Sequence, residues 1–137
     1  MHEIKWLSAY QIGNDKIDEQ HEIFLSLVNK LAIDVRNGEG EEQIHTTFSQ
    51  IVEFAAFHFS DEERLMQEHH FPEYETHKRL HEKIIQTLGE YFVLYQEGQL
   101  AIEDLVRFIV NWFARHTVCE DSKIGNFIAE RSVARAI

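Results

Sequence analysis

Apolar residues recur three and four apart through most of this chain, the spacing that gathers them on one face of an α-helix. The first run is Ile17, His21, Phe24, Leu25, Val28, Leu31, Ala32 and Val35; it begins near residue 18 and stops at Asn37-Gly38, a good helix C-terminus. The second starts near Glu41, where carboxylates favour a helix N-terminus. It carries Ile44, Phe48, Ile51, Val52, Ala55, His58, Phe59, Glu62, Leu65 and Met66 as far as Pro72. The third opens around Glu73 and presents His77, Leu80, His81, Ile84, Ile85, Leu88, Phe92 and Tyr95 before Gly98, with Gly89 as a weak point inside it. The fourth covers about 101–116 through Leu105, Phe108, Ile109, Trp112 and Phe113, and after a break at 118–122 a last helical piece carries Ile124, Phe127 and Ile128. Residues 1–17 hold scattered anchors, Trp6, Leu7, Tyr10, Ile12 and Ile17, around a Gly13-Asn14-Asp15 turn signal, and read as an arm laid on the helices. With no strand pattern and only short connectors, the expected fold is all-α. It is an up-down-up-down antiparallel four-helix bundle with an N-terminal arm and a short C-terminal helix. A chain of 137 residues is expected to form one domain, residues 1–137.

Several positions on these apolar faces are polar, and their heights agree. At about 1.5 Å per residue, equal counts from a shared turn mean equal levels in a bundle. Measured from the first turn, His21 lies about 24 Å before Asn37 and His58 lies about 26 Å after Glu41. Across Pro72, His58 and Glu62 stand about 21 Å and about 15 Å back, while His77 and His81 stand about 8 Å and about 14 Å on, so the two pairs overlap in height. From Gly98, His81 is about 26 Å back and His116 is about 27 Å on. All four helices thus deliver a core-facing histidine to one layer. Asp121 comes five positions after His116 and would lie about 140° off its face on a regular helix; it joins the layer only through a wide turn or π-bulge.

One histidine on an apolar face is ordinarily a core residue with its hydrogen bonds satisfied. Five at one level beside Glu62 are another matter, because each costs several kcal/mol to desolvate if ionised and unpaired. Bound cations neutralise such a layer most cheaply, which makes His21, His58, Glu62, His77, His81, His116 and Asp121 the candidate metal ligands. Phe24, Phe59, Trp112 and Phe113 are core residues that would also line the metals with dry surface. His2, His45, His69 and His70 read as surface residues, and Cys119 as a small buried filler.

Charge narrows the function classes. A formal net charge of -11, with 13 Lys and Arg against 24 Asp and Glu, excludes a nucleic-acid binder built on basic phosphate contacts. The only cysteine, Cys119, leaves no intrachain disulfide and no thiolate zinc cluster, so a reducing, cytoplasmic setting fits. No apolar stretch reaches the roughly 18 residues of a membrane span, and the N-terminus lacks a signal-peptide pattern.

Five imidazoles and two carboxylates exceed the needs of one tetrahedral zinc and suit two ions of an imidazole-tolerant redox metal. Carboxylate-rich di-iron bundles use a Glu-x-x-His motif on each of two helices. Here there is one, Glu42 to His45, away from the layer. With these residues in view, the chain resembles the hemerythrins, in particular the single-domain bacteriohemerythrins. The resemblance rests on Trp6, Gly13, Ile17-Asp18-Glu19-Gln20-His21, His58-Phe59 with Glu62-Glu63 and Met66, Pro72, His77 with His81, and Trp112 with His116 and Asp121.

That resemblance implies a non-haem di-iron centre, hydroxo- or oxo-bridged, that binds dioxygen reversibly for carriage, storage or delivery. By position, His77, His81 and His116 would hold one iron and His21 and His58 the other, with Glu62 and Asp121 bridging and an open position on the second. Phe24, Phe59, Trp112, Phe113 and Thr117 would line the oxygen pocket. Thr117 stands where the family often has a bulky aliphatic, and its hydroxyl is expected to speed autoxidation. The expected partners are dioxygen and an oxygen-consuming protein. The chain is expected to be a binding protein, not an enzyme; the alternatives are oxygen or redox sensing, peroxide or nitric oxide scavenging, and iron buffering.

Overall fold

The first long helix begins three residues earlier than the periodicity suggests, because Asn14 caps it: its side-chain oxygen accepts the Ile17 N–H at 3.0 Å, a contact worth roughly 1 kcal/mol. Helix α1 is Asp15–Arg36, α2 Glu41–Glu68, α3 Tyr74–Gln96, α4 Ile102–Arg115 and α5 Ser122–Ala136. The arm is correspondingly shorter than 1–17. The structure, a computed structural model, describes residues 4–136, and the side chains of 4–134. His2 lies outside the described residues.

The helix ends follow from local chemistry. After α1, Gly38 takes a φ of +71°, which glycine adopts without a Cβ penalty, and the Gly38 and Glu39 N–H groups return to the Val35 and Asp34 carbonyls. Gly98 does the same after α3, with φ +75°. Between α2 and α3 the Phe71 N–H closes on the Met66 carbonyl at 2.9 Å, and Pro72 follows where no helix can continue. Gly89 does not interrupt α3.

Helix α1 packs against α2 and α4, and α3 against the same two, which closes an antiparallel ring of four. The main core is formed by Leu25, Val28 and Leu31 of α1, Ile44, Phe48 and Ile51 of α2, Ile84, Leu88 and Phe92 of α3 and Leu105 and Ile109 of α4. A second, smaller cluster, Met66, Phe71 and Ile124, closes the opposite end. The polar layer lies between the two. One buried carboxylate sits outside it: Asp34 accepts from Thr47 Oγ1 at 2.6 Å and from Gln43 Nε2 at 3.4 Å, a partnered group of the core.

The arm is fastened at both ends. Ile4 exchanges two hydrogen bonds with the Asn29 side chain, at 2.7 and 2.9 Å, and the Asp18 carboxylate accepts the Ile12 and Gly13 N–H groups at 2.6 and 3.3 Å. Between them the Trp6 ring meets Tyr10 edge-on at 5.5 Å and Tyr10 meets Phe113 at 5.1 Å. Among the described residues no helix is long and apolar enough to cross a membrane.

Two expectations need correction. The break at 118–122 is no break: His116–Asp121 is a π-helical turn that runs from α4 into α5, so backbone bonding continues through it. Cys119 is exposed, not a buried filler. The wide turn aims His116, Thr117 and Asp121 inward, and Val118 and Cys119 are the residues left on its outer side.

Candidate metal centre

Each of the four main helices contributes to the layer, and the turn after α4 completes it. His21 comes from α1, His58 and Glu62 from α2, His77 and His81 from α3, and His116 and Asp121 from the two ends of the π turn; all seven are buried. The pairs on α2 and α3 are four residues apart, one turn, so each pair projects from one face. His116 and Asp121 share a face because a turn closed by i→i+5 bonding brings the fifth residue back toward the first.

Two groups of donors result. Glu62, His77, His81, His116 and Asp121 each offer an atom within 4.8 Å of the others, and so do His21, His58, Glu62 and Asp121. Glu62 and Asp121 belong to both. The first group has three imidazoles and the second has two, a difference of one donor.

The outer nitrogens decide what the inner ones can do. His21 Nδ1 donates to the backbone carbonyl of Tyr10 at 2.8 Å, His58 Nδ1 to Gln20 Oε1 at 2.8 Å and His81 Nδ1 to Glu63 Oε2 at 2.8 Å. In the neutral ring each Nε2 then carries a lone pair. Those lone pairs face carboxylate oxygens: His21 Nε2 lies 3.1 Å from Asp121 Oδ2, His58 Nε2 3.3 Å from Glu62 Oε2 and His81 Nε2 3.1 Å from Glu62 Oε1. Acceptor against acceptor in a buried layer is repulsive unless a proton or a cation lies between. His21 Nε2, His81 Nε2, His116 Nε2, Glu62 Oε2 and Asp121 Oδ1 are moreover buried with no aligned hydrogen-bond partner, an unusual concentration for a folded interior. Imidazole nitrogens backed by outer hydrogen bonds and shared carboxylates form a donor set that fits two metal cations.

Without metal, protons must do this work. Burial opposes charging His77, but Asp121 and Glu62 beside it prevail and raise its pKa to about 9. His21 is likewise raised, burial being outweighed by Asp121, Glu62 and the Tyr10 carbonyl. Burial alone would push Glu62 up; the imidazoles of His58, His77 and His81 hold it well below the usual carboxylate range. In Asp121, burial and the neighbouring Glu62 charge push upward, but His116 and His21 outweigh them and hold it below the usual carboxylate range.

Beside the two-histidine group lies a cavity of about 10 Å³, room for one molecule the size of water. Its walls are His21, Phe24, His58, Phe59, Trp112, Phe113, His116, Thr117 and Asp121. Trp112 stacks on His116 at 4.5 Å and Phe59 on His81 at 3.9 Å, so the aromatic walls also brace the imidazoles. All five pocket residues expected from the sequence therefore lie on this cavity. His45 is exposed and stacks on Phe92 at 5.3 Å, His70 is exposed, and His69 is half-buried with its carbonyl accepting from Arg131; none joins the layer.

Tyr10, Gln20, Asp61 and Glu63 have roles that apolar periodicity does not reveal. Gln20 also donates to Asp61 Oδ2 at 2.7 Å, and Asp61 pairs with Lys16 at 3.3 Å, so His58 is steadied by a chain that reaches the surface. For Gln20 and Glu63 a signal existed, since each directly follows or precedes a ligand candidate in sequence. The Tyr10 carbonyl, a backbone atom of the arm, left none.

Comparison with known proteins finds relatives over most of the chain. The model of the hemerythrin HHE cation-binding domain matches residues 12–128. A bacteriohemerythrin of Stenotrophomonas maltophilia is 28% identical over 116 residues, covering 85% of this chain and 75% of that protein. One of Pseudomonas aeruginosa is 27% identical over 122 residues, covering 89% and 79%. The crystal structure of a hemerythrin variant with tyrosine in place of a leucine superposes with a TM-score of 0.81 at 23% identity, over 92% of this chain and 97% of that one.

Proposed function

This chain belongs to the hemerythrin family, its HHE cation-binding domain spanning residues 12–128, and from that premise we propose that its buried donor layer holds two iron ions and binds dioxygen reversibly. The observation that carries the reading is the inequality of two donor groups that share Glu62 and Asp121, with the small aromatic cavity on the side of the poorer one. When bound, a pair of ferrous ions supplies the two electrons with which dioxygen is taken up and to which it returns them on release.

The residues do the rest. His77, His81 and His116 would hold one ion and His21 and His58 the other, with Glu62 and Asp121 available to both. With two imidazoles in place of three, the ion beside the cavity would have one protein donor fewer, and a small ligand could take its place. Phe24, Phe59, Trp112 and Phe113 would keep bulk water out and slow the approach of acid to a bound ligand, and a cavity of about 10 Å³ leaves room only for a very small one. Thr117, fully buried on the same wall, brings the one hydroxyl of that wall.

Binding is favoured over turnover because every titratable group on the cavity is itself a ligand: His21, His58, His116 and Asp121. Among the described residues, no free acid or base lines the cavity to move protons through a catalytic cycle. The protein is thus an oxygen carrier, store or delivery module that hands its cargo to an oxygen-consuming protein. Its single thiol, Cys119, free and exposed, suits the reducing cytoplasm. Oxygen uptake by the anaerobically reduced protein tests this: one dioxygen per two irons, returned under vacuum, is expected. Sustained consumption of oxygen or of added peroxide over many turnovers would replace the carrier with an enzyme.

A further inference from the structure

Gly125 lies inside α5, a helix-interior position where glycine is less stable than alanine. The space around it shows what a side chain would disturb. A Cβ there would overlap the carbonyl oxygen of Ile12 and stand 3.0 Å from both its carbonyl carbon and its Cβ. Gly40 and Gly89, by contrast, have nothing within 4 Å of a built Cβ. The arm therefore rests backbone-on-helix at this point, and only a residue without a side chain lets it approach so closely.

What the arm carries makes this contact matter. Ile12 is held from the other side by Asp18, which accepts its N–H at 2.6 Å. Two residues upstream, the Tyr10 carbonyl accepts from His21 Nδ1 at 2.8 Å, and the Tyr10 ring packs on Phe113 of the cavity wall. His58 and His81 are steadied by side chains on α1 and α2, Gln20 and Glu63. His21 is instead steadied from the arm, whose position depends on Gly125.

Resting on the two-metal reading above, we infer that Gly125 and the arm it receives are positioning elements for His21, and through it for the two-histidine half of the centre. Displacing the arm turns the His21 ring and weakens that half, while the three-histidine half, built entirely on α2, α3, α4 and the π turn, keeps its metal.

Gly125→Ala tests this by anaerobic titration with ferrous iron and competition against a chelator. The expected result is that one of the two equivalents binds about 10- to 100-fold more weakly, the usual size of an outer-contact loss, with the other equivalent unchanged. General destabilisation would weaken both, and that outcome, or two equivalents held as in the parent, overturns the inference. Gly89→Ala, whose new methyl meets open space, should titrate like the parent. If Gly125→Ala does not fold, Asp18→Ala releases Ile12 from its other side and carries the same expectation. Should the parent itself bind fewer than two equivalents, the two-metal reading fails, and the arm is then tested alone in metal-free protein by NMR of the His21 ring. A slowly exchanging Nδ1–H present in the parent and lost in Gly125→Ala supports the arm's role; the same signal in both overturns it.

Discussion

At the scale of residues, the centre depends on groups that differ in what they do. Glu62 and Asp121 are the most constrained, since both belong to the two donor groups and both are buried. Glu62→Ala should abolish uptake of both metal ions, read by iron content after anaerobic loading, whereas Glu63→Gln removes only the negative charge behind His81 and should retain two ions with roughly 10- to 100-fold lower affinity for one of them. Thr117 is tested by its isostere. Thr117→Val exchanges a hydroxyl for a methyl without crowding a cavity of about 10 Å³, and the oxygenated form should decay about tenfold more slowly, equivalent to about 1.4 kcal/mol in the barrier. An unchanged decay rate would mean the hydroxyl does not reach the bound ligand. Six residues of the layer were legible in the sequence because histidine and carboxylate are out of place on apolar helical faces, and Asp121 was legible only through its five-residue interval from His116. Gln20 and Glu63 were less so: a polar residue beside a ligand looks the same as any residue at the edge of a helix face.

At the scale of elements, the π turn decides whether the layer is complete. Its presence could be inferred from a five-residue interval that regular α geometry cannot reconcile, and the structure forms it over His116–Asp121. Its consequences on the outside could not, because Cys119 sits at a position that regular periodicity does not assign once the turn widens. Inserting one alanine after Val118, exposed on the outer side of the turn, should place Asp121 six positions from His116, beyond what the π turn brings back to its face, and swing it about 100° away relative to His116. Helix content by circular dichroism should stay near that of the parent while the iron content falls. An insertion variant that still binds two irons would show that the spacing set by the turn is not required. The start of α1 departs from the periodicity for a related reason: Asn14 within Gly13-Asn14-Asp15 reads as a turn signal, and the same asparagine serves as the cap.

At the scale of the whole molecule, the bundle holds seven polar groups apart from water between two apolar clusters, and this sets its response to pH. In metal-free protein the raised pKa of His77, about 9 against an ordinary 6.5, contributes stability that is fully present below about pH 6.5 and is lost as pH rises toward 9. His21 acts in the same direction. Glu62 is lowered from 4.5, so its contribution is present above that value and is lost in acid. Metal-free protein should therefore melt highest between about pH 4.5 and 6.5 and lose up to a few kcal/mol by pH 9, as read by thermal unfolding in chelator. Loaded protein should behave oppositely, since metal and proton compete for the same nitrogens, and the gap between the two melting temperatures should widen with rising pH. The bundle itself was plain in the sequence because four periodic runs with short connectors admit few other arrangements. The docking of the arm was not, since it runs through backbone atoms and a glycine. Reversible dioxygen binding at a di-iron centre is put to the test by counting iron in anaerobically reduced protein and recording optical spectra as air is admitted and withdrawn. Two irons per chain are expected, with a charge-transfer band that appears in oxygen and disappears on its removal through repeated cycles; a folded chain that takes up no iron, or two irons that oxidise once and never recover, would rule out such a centre.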